Sequence, residues 1–270
     1  MALRIATWNV NSLRRRLDGL QRLSAWLAPD VVCLQETKVT DELFPADDLA
    51  ALGYPHQVFK GMKSYNGVAV ISRLPLTDAG SRDWCGRADC RHVWATVHEP
   101  ETGRSCEVHS LYLPAGGDVP DADDNPKFAH KLRFLEDLIA WSGERRGAGR
   151  PTVLAGDLNV APLPTDVWSH EKLRNVVTHT EGEVRLLTEA LAAGGWIDSV
   201  RHRLPAAERV YTWWSYRAKD WEGPNRGRRL DHIWLSPDLE PALADVHVLR
   251  EARGWSDPSD HVPVAVALEW

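Results

Sequence analysis

The sequence predicts an α/β fold: a four-layer sandwich in which two packed, mixed β-sheets carry helices on their outer faces. Short uninterrupted apolar runs such as Val31–Leu34 are typical of strands that are covered on both faces. Segments with helical periodicity occur at irregular intervals between the strands, a pattern that a simple βαβ repeat does not produce. Because no low-complexity linker divides the 270 residues, we expect one domain over residues 1–270.

The N-terminal segment predicts a strand followed by a helix. Residues Leu3–Ala6 lead into Trp8 and Asn9 as a first strand. Ser12 is the expected N-cap of the following helix, and Pro29 ends it. Leucines recur there at the spacing of an amphipathic helix, at Leu13, Leu17, Leu20, Leu23 and Leu27.

The rest of the chain predicts more strands than helices. Segments rich in apolar residues and bounded by turn residues predict strands at Val31–Leu34, Val68–Ser72, Val93–Val97, Cys106–Leu113, Thr152–Ala155 and Leu230–Leu235. An alternating pattern predicts a last strand with one covered face, through Val262, Val264, Val266 and Leu268. Helical spacing predicts helices around Phe128–Ile139 and Val184–Ala193. Periodicity does not give the order of the strands in the sheets.

The charge balance permits a nucleic-acid partner. The chain has 32 Lys and Arg against 38 Asp and Glu, a formal net charge of −6. A nucleic-acid-binding protein needs only one basic face, and Arg14–Arg16 and Arg226–Arg229 are local concentrations of cations. A solvated surface explains either run equally well.

The chain shows no pattern of membrane insertion or secretion. It has no run of about 18 apolar residues and no charged segment followed by an apolar leader. We therefore expect a soluble, cytoplasmic protein. Its cysteines form no CxxC pair, so we expect reduced thiols at Cys33, Cys85, Cys90 and Cys106. A zinc site at Cys85 and Cys90 is the weaker alternative, because their spacing differs from that of zinc motifs.

Polar side chains stand at the ends of several predicted strands, where loops held by a rigid sheet deliver catalytic groups. Glu36 follows the run Val31–Leu34, and Asn11 follows the first strand. Mg²⁺ and Mn²⁺ prefer one or two protein carboxylates, with water and substrate phosphate completing the shell. Glu36 and Asn11 together predict such a site, whereas Glu36 alone would be read as a cap or turn residue.

Two further strand-end motifs carry titratable groups. Asp157 and Asn159 lie two residues apart, so an extended segment points both side chains to one side. One can act on a nucleophilic water while the other donates to a phosphate oxygen, although an Asx-turn explains the motif equally well. His261 precedes the last strand, and we pair it with Asp231, because a carboxylate commonly orients a hydrolytic imidazole.

Aromatic and amide side chains near the cations predict a nucleic-acid surface. Trp213 and Trp214 precede Arg226–Arg229, and flat rings beside guanidinium groups can enter a base stack or fill the space of a missing base. We favour Trp213 as the contacting aromatic and leave a core position open for Trp214. Tyr112 can reach a phosphate oxygen, unless it is simply half-buried. Asn66 can line the site, although a turn explains it nearly as well.

Together these motifs resemble the exonuclease III family of apurinic/apyrimidinic endonucleases, within the DNase I-like superfamily of metal-dependent phosphodiesterases. The likeness runs essentially from Ala2 to Leu268. Each motif is weak alone, but their joint occurrence in this order is highly specific. The motifs are Trp8–Asn11, Leu34–Lys38, Asn66–Ala69, Tyr112–Pro114, Gly156–Asn159, Tyr211–Trp214, Asn225–Gly227, Leu230–Asp231 and Ser259–His261.

The resemblance implies Mg²⁺-dependent hydrolysis of DNA 5′ to abasic sites, with Mn²⁺ as the alternative ion. In that family, 3′→5′ exonuclease activity and 3′-end cleaning often accompany this hydrolysis. The implied partner is double-stranded DNA with abasic sites or blocked 3′ ends, bound by a monomer.

The resemblance also implies a role for each matching residue. Asp157 would activate the water or protonate the leaving oxygen, and Asp231 would orient His261. The residues implied at the metal ion are Glu36, Asn11 and Asp260. Those implied at the scissile phosphate are Asn9, Tyr112, Asn159 and His261. Those expected to contact DNA are Trp213, Arg226, Arg14 and Asn66.

Two features depart from the family pattern. Ala115 stands where relatives commonly carry an amide after the Tyr-x-Pro element, and Asp118–Asp124 forms an acidic loop near the expected path of DNA. Both leave the balance of endonuclease and exonuclease activity open. The rival functions are a superfamily phosphodiesterase acting on an inositol phosphate or sphingomyelin, which would lack the aromatic cluster, and a non-catalytic nucleic-acid-binding regulator, which would not need the acidic and imidazole groups.

Overall fold

Two mixed six-stranded sheets form the centre of the protein, which confirms the predicted pair of sheets. The computed structural model describes residues 2–218 and 220–269. In spatial order, the first sheet contains β11 (Leu243–Val248), β12 (Val264–Glu269), β1 (Ala2–Asn9), β2 (Val31–Gln35), β4 (Val68–Ser72) and β3 (His56–Lys60). The second contains β5 (Leu76–Ser81), β6 (His92–His98), β7 (Ser105–Tyr112), β8 (Thr152–Asp157), β10 (Asp231–Leu235) and β9 (Ile197–Asp198).

Helices lie along the chain between these strands. They are α1 (Leu17–Leu27), α2 (Ala46–Ala51), α3 (Pro126–Arg145), α4 (His170–Leu173), α5 (Glu181–Gly194) and α6 (Ser199–Arg203). Short 3-10 helices occur at Leu13–Arg15, Asp41–Leu43, Pro164–Asp166, Pro237–Ala242 and Arg250–Gly254. Within residues 2–218 and 220–269, no helix has both the length and the apolar character needed to cross a membrane.

The side chains of each central strand alternate between two apolar layers. Ile5 of β1 and Val153 of β8 belong to the cluster between the two sheets. Trp8 of β1 packs instead with Leu20 of α1, and Phe134 of α3 belongs to a separate cluster on the outer face of the second sheet. Because a strand presents successive side chains to opposite faces, each sheet has one face toward the other sheet and one toward helices. The four predicted layers follow from this alternation.

The predicted start of the first helix was wrong. Ser12 has φ 93° and ψ 101° and makes no side-chain cap hydrogen bond, Leu13–Arg15 form a 3-10 turn, and α1 begins at Leu17. The backbone N–H of Ser12 donates to the carbonyl of Glu36 (2.8 Å), and that of Leu13 donates to the carbonyl of Thr37 (3.1 Å). The loop after β1 is therefore tied to the loop after β2 rather than to the helix.

Several edge elements escaped prediction. Every residue of β3 is only half-buried, most residues of β5 are exposed, and β11 alternates between half-buried and exposed positions after Leu243. An edge strand with little apolar burial has no strong hydrophobic period, and its pairing comes from a neighbouring strand that sequence does not identify. The sheets are wider than the sequence predicts, but their central strands are as expected.

The strand register brings the ends of the central strands to one edge of the sandwich. Asn9 of β1 lies opposite Gln35 of the parallel strand β2. In the other sheet, Asp157 of β8 lies opposite both Tyr112 of β7 and Asp231 of β10. Gly156 is required next to Asp157, because a Cβ there would stand 1.9 Å from the backbone oxygen of β7. The polar motifs therefore meet because the strands end together.

A buried ion cluster supports the start of β10. Arg229 is fully buried, and its Nε and Nη2 lie 2.8 and 2.9 Å from the two carboxylate oxygens of Asp166. Its Nη1 lies 2.8 Å from Asp198. The cluster holds Arg229 two residues before Asp231, the first residue of β10.

Replacing Asp166 by Asn should destabilise the fold, because Arg229 would keep its buried charge and lose a partner. We expect Asp166→Asn to lower the free energy of unfolding by about 3 kcal/mol or more. Urea denaturation measures this change. Glu189→Gln is the control, since Glu189 pairs with Arg185 on the exposed face of α5 and should leave the midpoint nearly unchanged. Equal, small effects of both substitutions would contradict the assigned role of the cluster.

Candidate active site

The side chain of Asn9 joins the two sheets. Its Nδ2 donates to Glu36 Oε1 and to Asp157 Oδ2, both at 2.9 Å, and its Oδ1 accepts from the backbone N–H of Asn11 at 3.1 Å. Asn9 is fully buried, and the hydroxyl of Ser259 donates to its backbone oxygen at 2.7 Å. One buried amide therefore sets the separation between a carboxylate that follows β2 and one that ends β8.

The Glu36 side of this bridge holds a cationic side chain. Lys38 Nζ lies 2.7 Å from Glu36 Oε2 and donates to Asn11 Oδ1 at 2.5 Å. The phenol of Tyr112 donates to Glu36 Oε1 at 2.8 Å. Burial would raise the pKa of Glu36, but Lys38 and the Asn9 hydrogen bond outweigh it and lower that pKa. The oxygens of Glu36 and Asn11 thus already bind a cation, the Lys38 ammonium.

Left-handed backbone conformations bring these groups together. Asn11, Glu36 and Lys38 have φ values of 43°, 52° and 53°. Such values are uncommon for residues other than glycine and occur at sites that the surrounding structure holds in place. Here the backbone of Lys38 donates to the carbonyl of Asn66 at 2.9 Å, and that of Thr37 donates to Gly67 at 3.1 Å. The loop before β4 therefore fixes the loop after β2.

Asp260 orients Asn11. Its Oδ1 accepts from Asn11 Nδ2 at 3.0 Å, and its Oδ2 accepts from Trp213 Nε1 at 3.0 Å. With its N–H group bonded to Asp260, the amide of Asn11 points its oxygen toward Lys38. Both carboxylate oxygens of Asp260 accept from N–H groups of the protein.

Asp157 stands on the other side of the Asn9 bridge. Its Oδ1 accepts from the backbone N–H of Asn159 at 3.0 Å, and its Oδ2 accepts from Asn159 Nδ2 at 3.1 Å. The same Nδ2 donates to the carbonyl of Leu113 at 2.9 Å. Burial raises the pKa of Asp157 to about 7, against the opposing charge of His261. Its carboxyl group can therefore gain or lose a proton near neutral pH.

His261 and Asp231 form the predicted pair. His261 Nδ1 lies 2.9 Å from Asp231 Oδ2, and His261 Nε2 lies 3.7 Å from Asp157 Oδ2. The hydroxyl of Thr212 donates to Asp231 Oδ2 at 2.6 Å. Burial alone would lower the pKa of His261, but Asp231 and Asp157 outweigh it and raise that pKa to about 10. The imidazole is therefore a cation at neutral pH.

Two groups of side chains have donor atoms that suit a divalent ion. In the described ranges, ligand atoms of Asp157, Asp231 and His261 lie within 4.8 Å of one another. An ion bound there would have to replace a proton that His261 holds strongly. Glu36 and Asn11 offer oxygen donors that already face a cation, and oxygen is the donor that Mg²⁺ and Mn²⁺ prefer. The second group fits such an ion better.

Most of the predicted site residues meet in this network. The residues joined by its hydrogen bonds and ion pairs are Asn9, Asn11, Glu36, Tyr112, Asp157, Asn159, Trp213, Asp231, Asp260 and His261. Arg14 is exposed and Arg226 stacks on Trp168, so both lie outside it. The amide of Asn66 donates to the carbonyl of Asp89, a contact across 23 positions of the chain, and its hydrogen bonds do not join it to the network. Trp214 is buried, in agreement with the core alternative.

Some supporting residues were not predicted. Lys131 is fully buried, and its Nζ donates to the carbonyl of Asn159 at 2.7 Å and lies 2.6 Å from Glu183. Its spacing from Phe128 and Leu135 puts it on the apolar face of α3, and a lysine at such a position is a signal that the sequence offers. Thr212 supports Asp231 through one hydroxyl, for which the sequence offers no signal.

The two departures from the family pattern lie side by side. The side chain of Ala115 is exposed, and its carbonyl accepts from Lys131 Nζ at 3.3 Å. Every residue of Asp118–Asp124 is exposed, and Asp121 Oδ1 accepts from the backbone of Asp123 at 2.8 Å. The acidic loop thus projects into solvent. All four cysteines are unpaired, as the sequence predicts.

Comparison with known proteins identifies the family. The sequence pattern of the Endonuclease/Exonuclease/phosphatase family matches residues 6–261. The chain belongs to this family. Exodeoxyribonuclease III of Haemophilus influenzae is 30% identical to it over 269 residues, which cover 97% of this chain and 98% of that protein. The family is one of metal-dependent enzymes, and the two donor groups described above are consistent with that dependence.

Two solved structures of similar proteins share the whole fold. An AP endonuclease from Archaeoglobus fulgidus has a TM-score of 0.90 and 34% identity, over 99% of this chain and 100% of that one. A 3′ phosphatase from Neisseria, bound to a product DNA hairpin, has a TM-score of 0.89 and 33% identity, over 100% of both chains. This family member is therefore similar to structures with two different named activities.

The charge on His261 should make stability depend on pH. Because folding raises this pKa from 6.5 to about 10, the stabilisation is complete below pH ~6.5 and is lost as the pH rises toward 10. The difference in unfolding free energy between the wild type and His261→Gln should therefore be largest at low pH and shrink across this window. Urea denaturation in EDTA measures it, with exposed His247→Gln as the control. A constant difference would show that folding leaves the pKa of His261 unchanged, and a difference that shrinks as the pH falls below ~6.5 would show that His261 is neutral in the fold.

Proposed function

We propose that this protein is a divalent-metal-dependent DNA-repair nuclease that cleaves duplex DNA 5′ to abasic sites and clears blocked 3′ ends, with 3′→5′ exonuclease activity. The observation that carries the proposal is the Asn9 bridge, which holds Glu36 and its cation position at a fixed separation from the proton-transfer groups Asp157 and His261. Full-length likeness to an exodeoxyribonuclease, an AP endonuclease and a 3′ phosphatase supports it.

His261 and Asp157 have different roles in this proposal. His261 is protonated at neutral pH, so its Nε2–H can donate to a scissile phosphate oxygen, where negative charge accumulates during attack. Asp231 holds the opposite ring nitrogen and so orients the donor. Asp157, with its pKa raised to about 7, is the better group to take a proton from water or give one to the leaving oxygen.

Glu36 and Asn11 are the residues that we propose for holding the metal ion, Mg²⁺ or alternatively Mn²⁺. A bound ion would supply a Lewis acid at a phosphate oxygen. Asp260 acts there by orienting Asn11, since its own oxygens already accept two hydrogen bonds. Lys38 occupies the position between the two proposed ligands and has to move when they bind the ion.

Three of the residues implied at the scissile phosphate are already bonded within the site. Both N–H groups of Asn9 and of Asn159 donate internally, and the phenol of Tyr112 donates to Glu36. Each can contact a phosphate oxygen only by exchanging one of these bonds. We propose that these residues hold Asp157 and Glu36 in position in the free protein, and that they contact the phosphate only when substrate binds.

The DNA surface lies beside this centre in the proposal. Trp213 donates to Asp260, so an aromatic ring next to the substrate is joined directly to the metal side of the site. Arg226 adds positive charge from the same part of the chain, and Arg14 and Asn66 belong to the loops after β1 and before β4. We propose that the protein acts as a monomer on DNA.

Substitution of Asp157 or His261 should separate catalysis from binding. Asp157→Asn and His261→Ala should each lower Mg²⁺-dependent nicking of an abasic duplex on the order of 10²-fold or more, because both act in the transition state. Binding of the same duplex, measured by fluorescence anisotropy in EDTA, should change little. The matched controls are Asp245→Asn and His247→Ala, whose residues form an exposed pair on β11. Near-normal nicking by either active-site variant would contradict the assignment.

The substrate class is tested with the wild-type protein. We expect nicking of the abasic duplex to stop in EDTA and to return with Mg²⁺. The comparison substrates are an unmodified duplex, an inositol phosphate and sphingomyelin. Hydrolysis of either of the last two without cleavage of DNA would contradict the proposal. Binding of the duplex in EDTA, with no nicking after Mg²⁺ is added, would point to a non-catalytic binding protein.

A further inference from the structure

Arg228 lies beside the candidate active site. Its backbone pairs with Trp213 through two hydrogen bonds of 3.0 Å, and Trp213 also pairs with His261. The guanidinium carbon of Arg228 lies 5.3 Å from the centre of the Trp213 ring. The same indole donates to Asp260, so one side chain separates Arg228 from the carboxylate that orients Asn11.

Arg228 is half-buried but has no acidic partner in the described part of the chain. No carboxylate there lies within 4.0 Å of its guanidinium, and Glu183, whose charge acts on Arg228 from farther away, is already paired with Lys131. The next residue, Arg229, is fully buried and contacts both Asp166 and Asp198. A guanidinium that is partly removed from water normally keeps a carboxylate or phosphate as its partner. The contrast between two adjacent arginines indicates that the partner of Arg228 comes from outside the chain.

The orientation of Arg228 is fixed by the protein. Its Nη1 donates to the carbonyl of Val177 at 3.1 Å and to Thr178 Oγ1 at 2.7 Å. Nε and Nη2 make no side-chain hydrogen bond within residues 2–218 and 220–269. A guanidinium carries five N–H donors in a planar fork, which matches the oxygens of a phosphate. The hydrogen bonds of Nη1 therefore hold the guanidinium in place and leave Nε and Nη2 as donors for a ligand.

Two more cations lie on a neighbouring indole. Arg226 and Lys172 stand 5.0 and 5.3 Å from the centre of the Trp168 ring. Trp168 and Trp213 belong to the same apolar cluster, and the backbone of Trp168 donates to Gly227 at 3.1 Å. Within the described residues, neither of these cations forms an ion pair. Arg228 thus has cationic neighbours, which strengthens its attraction for an anion.

We infer that Arg228, held against Trp213, binds a second phosphate of the substrate, namely a backbone phosphate that neighbours the scissile one on the cleaved strand. This inference rests on the proposed function and adds to it a second anion site. The site favours strands that extend past the scissile phosphate on one side. Binding forms no covalent bond, and Arg228 keeps its proton throughout.

Removing the charge of one phosphate and the charge of Arg228, separately and together, tests the inference. Each abasic duplex carries one neutral methylphosphonate, placed in turn at each linkage on either side of the scissile phosphate. Anisotropy in EDTA measures the affinity of the wild type, Arg228→Met and Arg228→Lys for every duplex. At one linkage, neutralisation should weaken binding by the wild type roughly tenfold. The same neutralisation should hardly change the affinity of Arg228→Met, because that variant already lacks the contact. Arg228→Lys should recover part of the affinity and part of the position-specific loss.

Arg185→Met is the control for removal of one positive charge, since Arg185 is exposed on α5 and pairs with Glu189. This variant should show the wild-type loss at every linkage. If Arg228→Met also shows the full loss at every linkage, Arg228 binds no phosphate and has only a structural role. Thermal denaturation of Arg228→Met and Arg228→Lys measures any loss of fold stability separately.

Failure of the proposed function has a different signature. It appears as an absence of Mg²⁺-dependent nicking of the unmodified abasic duplex by the wild type. Loss of the position-specific effect alone, with normal nicking, overturns the Arg228 site and leaves the proposed function standing.

Discussion

The fully buried amide of Asn9 is the contact on which the site depends, because it joins a carboxylate of one sheet to a carboxylate of the other. Its two N–H groups connect Glu36, which follows a strand of the first sheet, with Asp157, which ends a strand of the second. Neither carboxylate can shift without breaking a buried hydrogen bond, and a buried donor left without a partner costs about 1–3 kcal/mol. The apolar layer between the sheets sets the distance that this amide spans.

Burial gives the two ends of the bridge opposite properties. At one end Lys38 compensates the charge of Glu36, and the pKa of that carboxyl group falls. At the other end burial raises the pKa of Asp157 to about 7, while Asp231 and Asp157 keep His261 positively charged. A phosphodiester placed between these ends would meet an ionised carboxylate with a cation position on one side and a proton-transfer group with a hydrogen-bond donor on the other. Such a pair of environments is what hydrolysis of a stable anionic ester requires.

The sequence predicts the parts of this arrangement that depend on buried strands and on the residues that follow them. Central strands have strong apolar patterns, and the pairing of His261 with Asp231 follows from polar motifs at strand ends. Edge strands such as β3 and β5 were missed because they bury little apolar surface. Ser12 was misassigned because its backbone bonds to Glu36, a contact between residues 24 positions apart that no local pattern shows. The position of Lys38 depends on left-handed turns and was equally hidden.

The location of the metal ion tests the central claim most directly. Crystals grown with Mn²⁺ and measured at the manganese absorption edge would show the ion as an anomalous peak. The expected peak lies at the oxygens of Glu36 and Asn11, with the Lys38 ammonium displaced from between them. A single peak among Asp157, Asp231 and His261, with the Lys38 contacts intact, would contradict the division of the site into a cation end and a proton-transfer end.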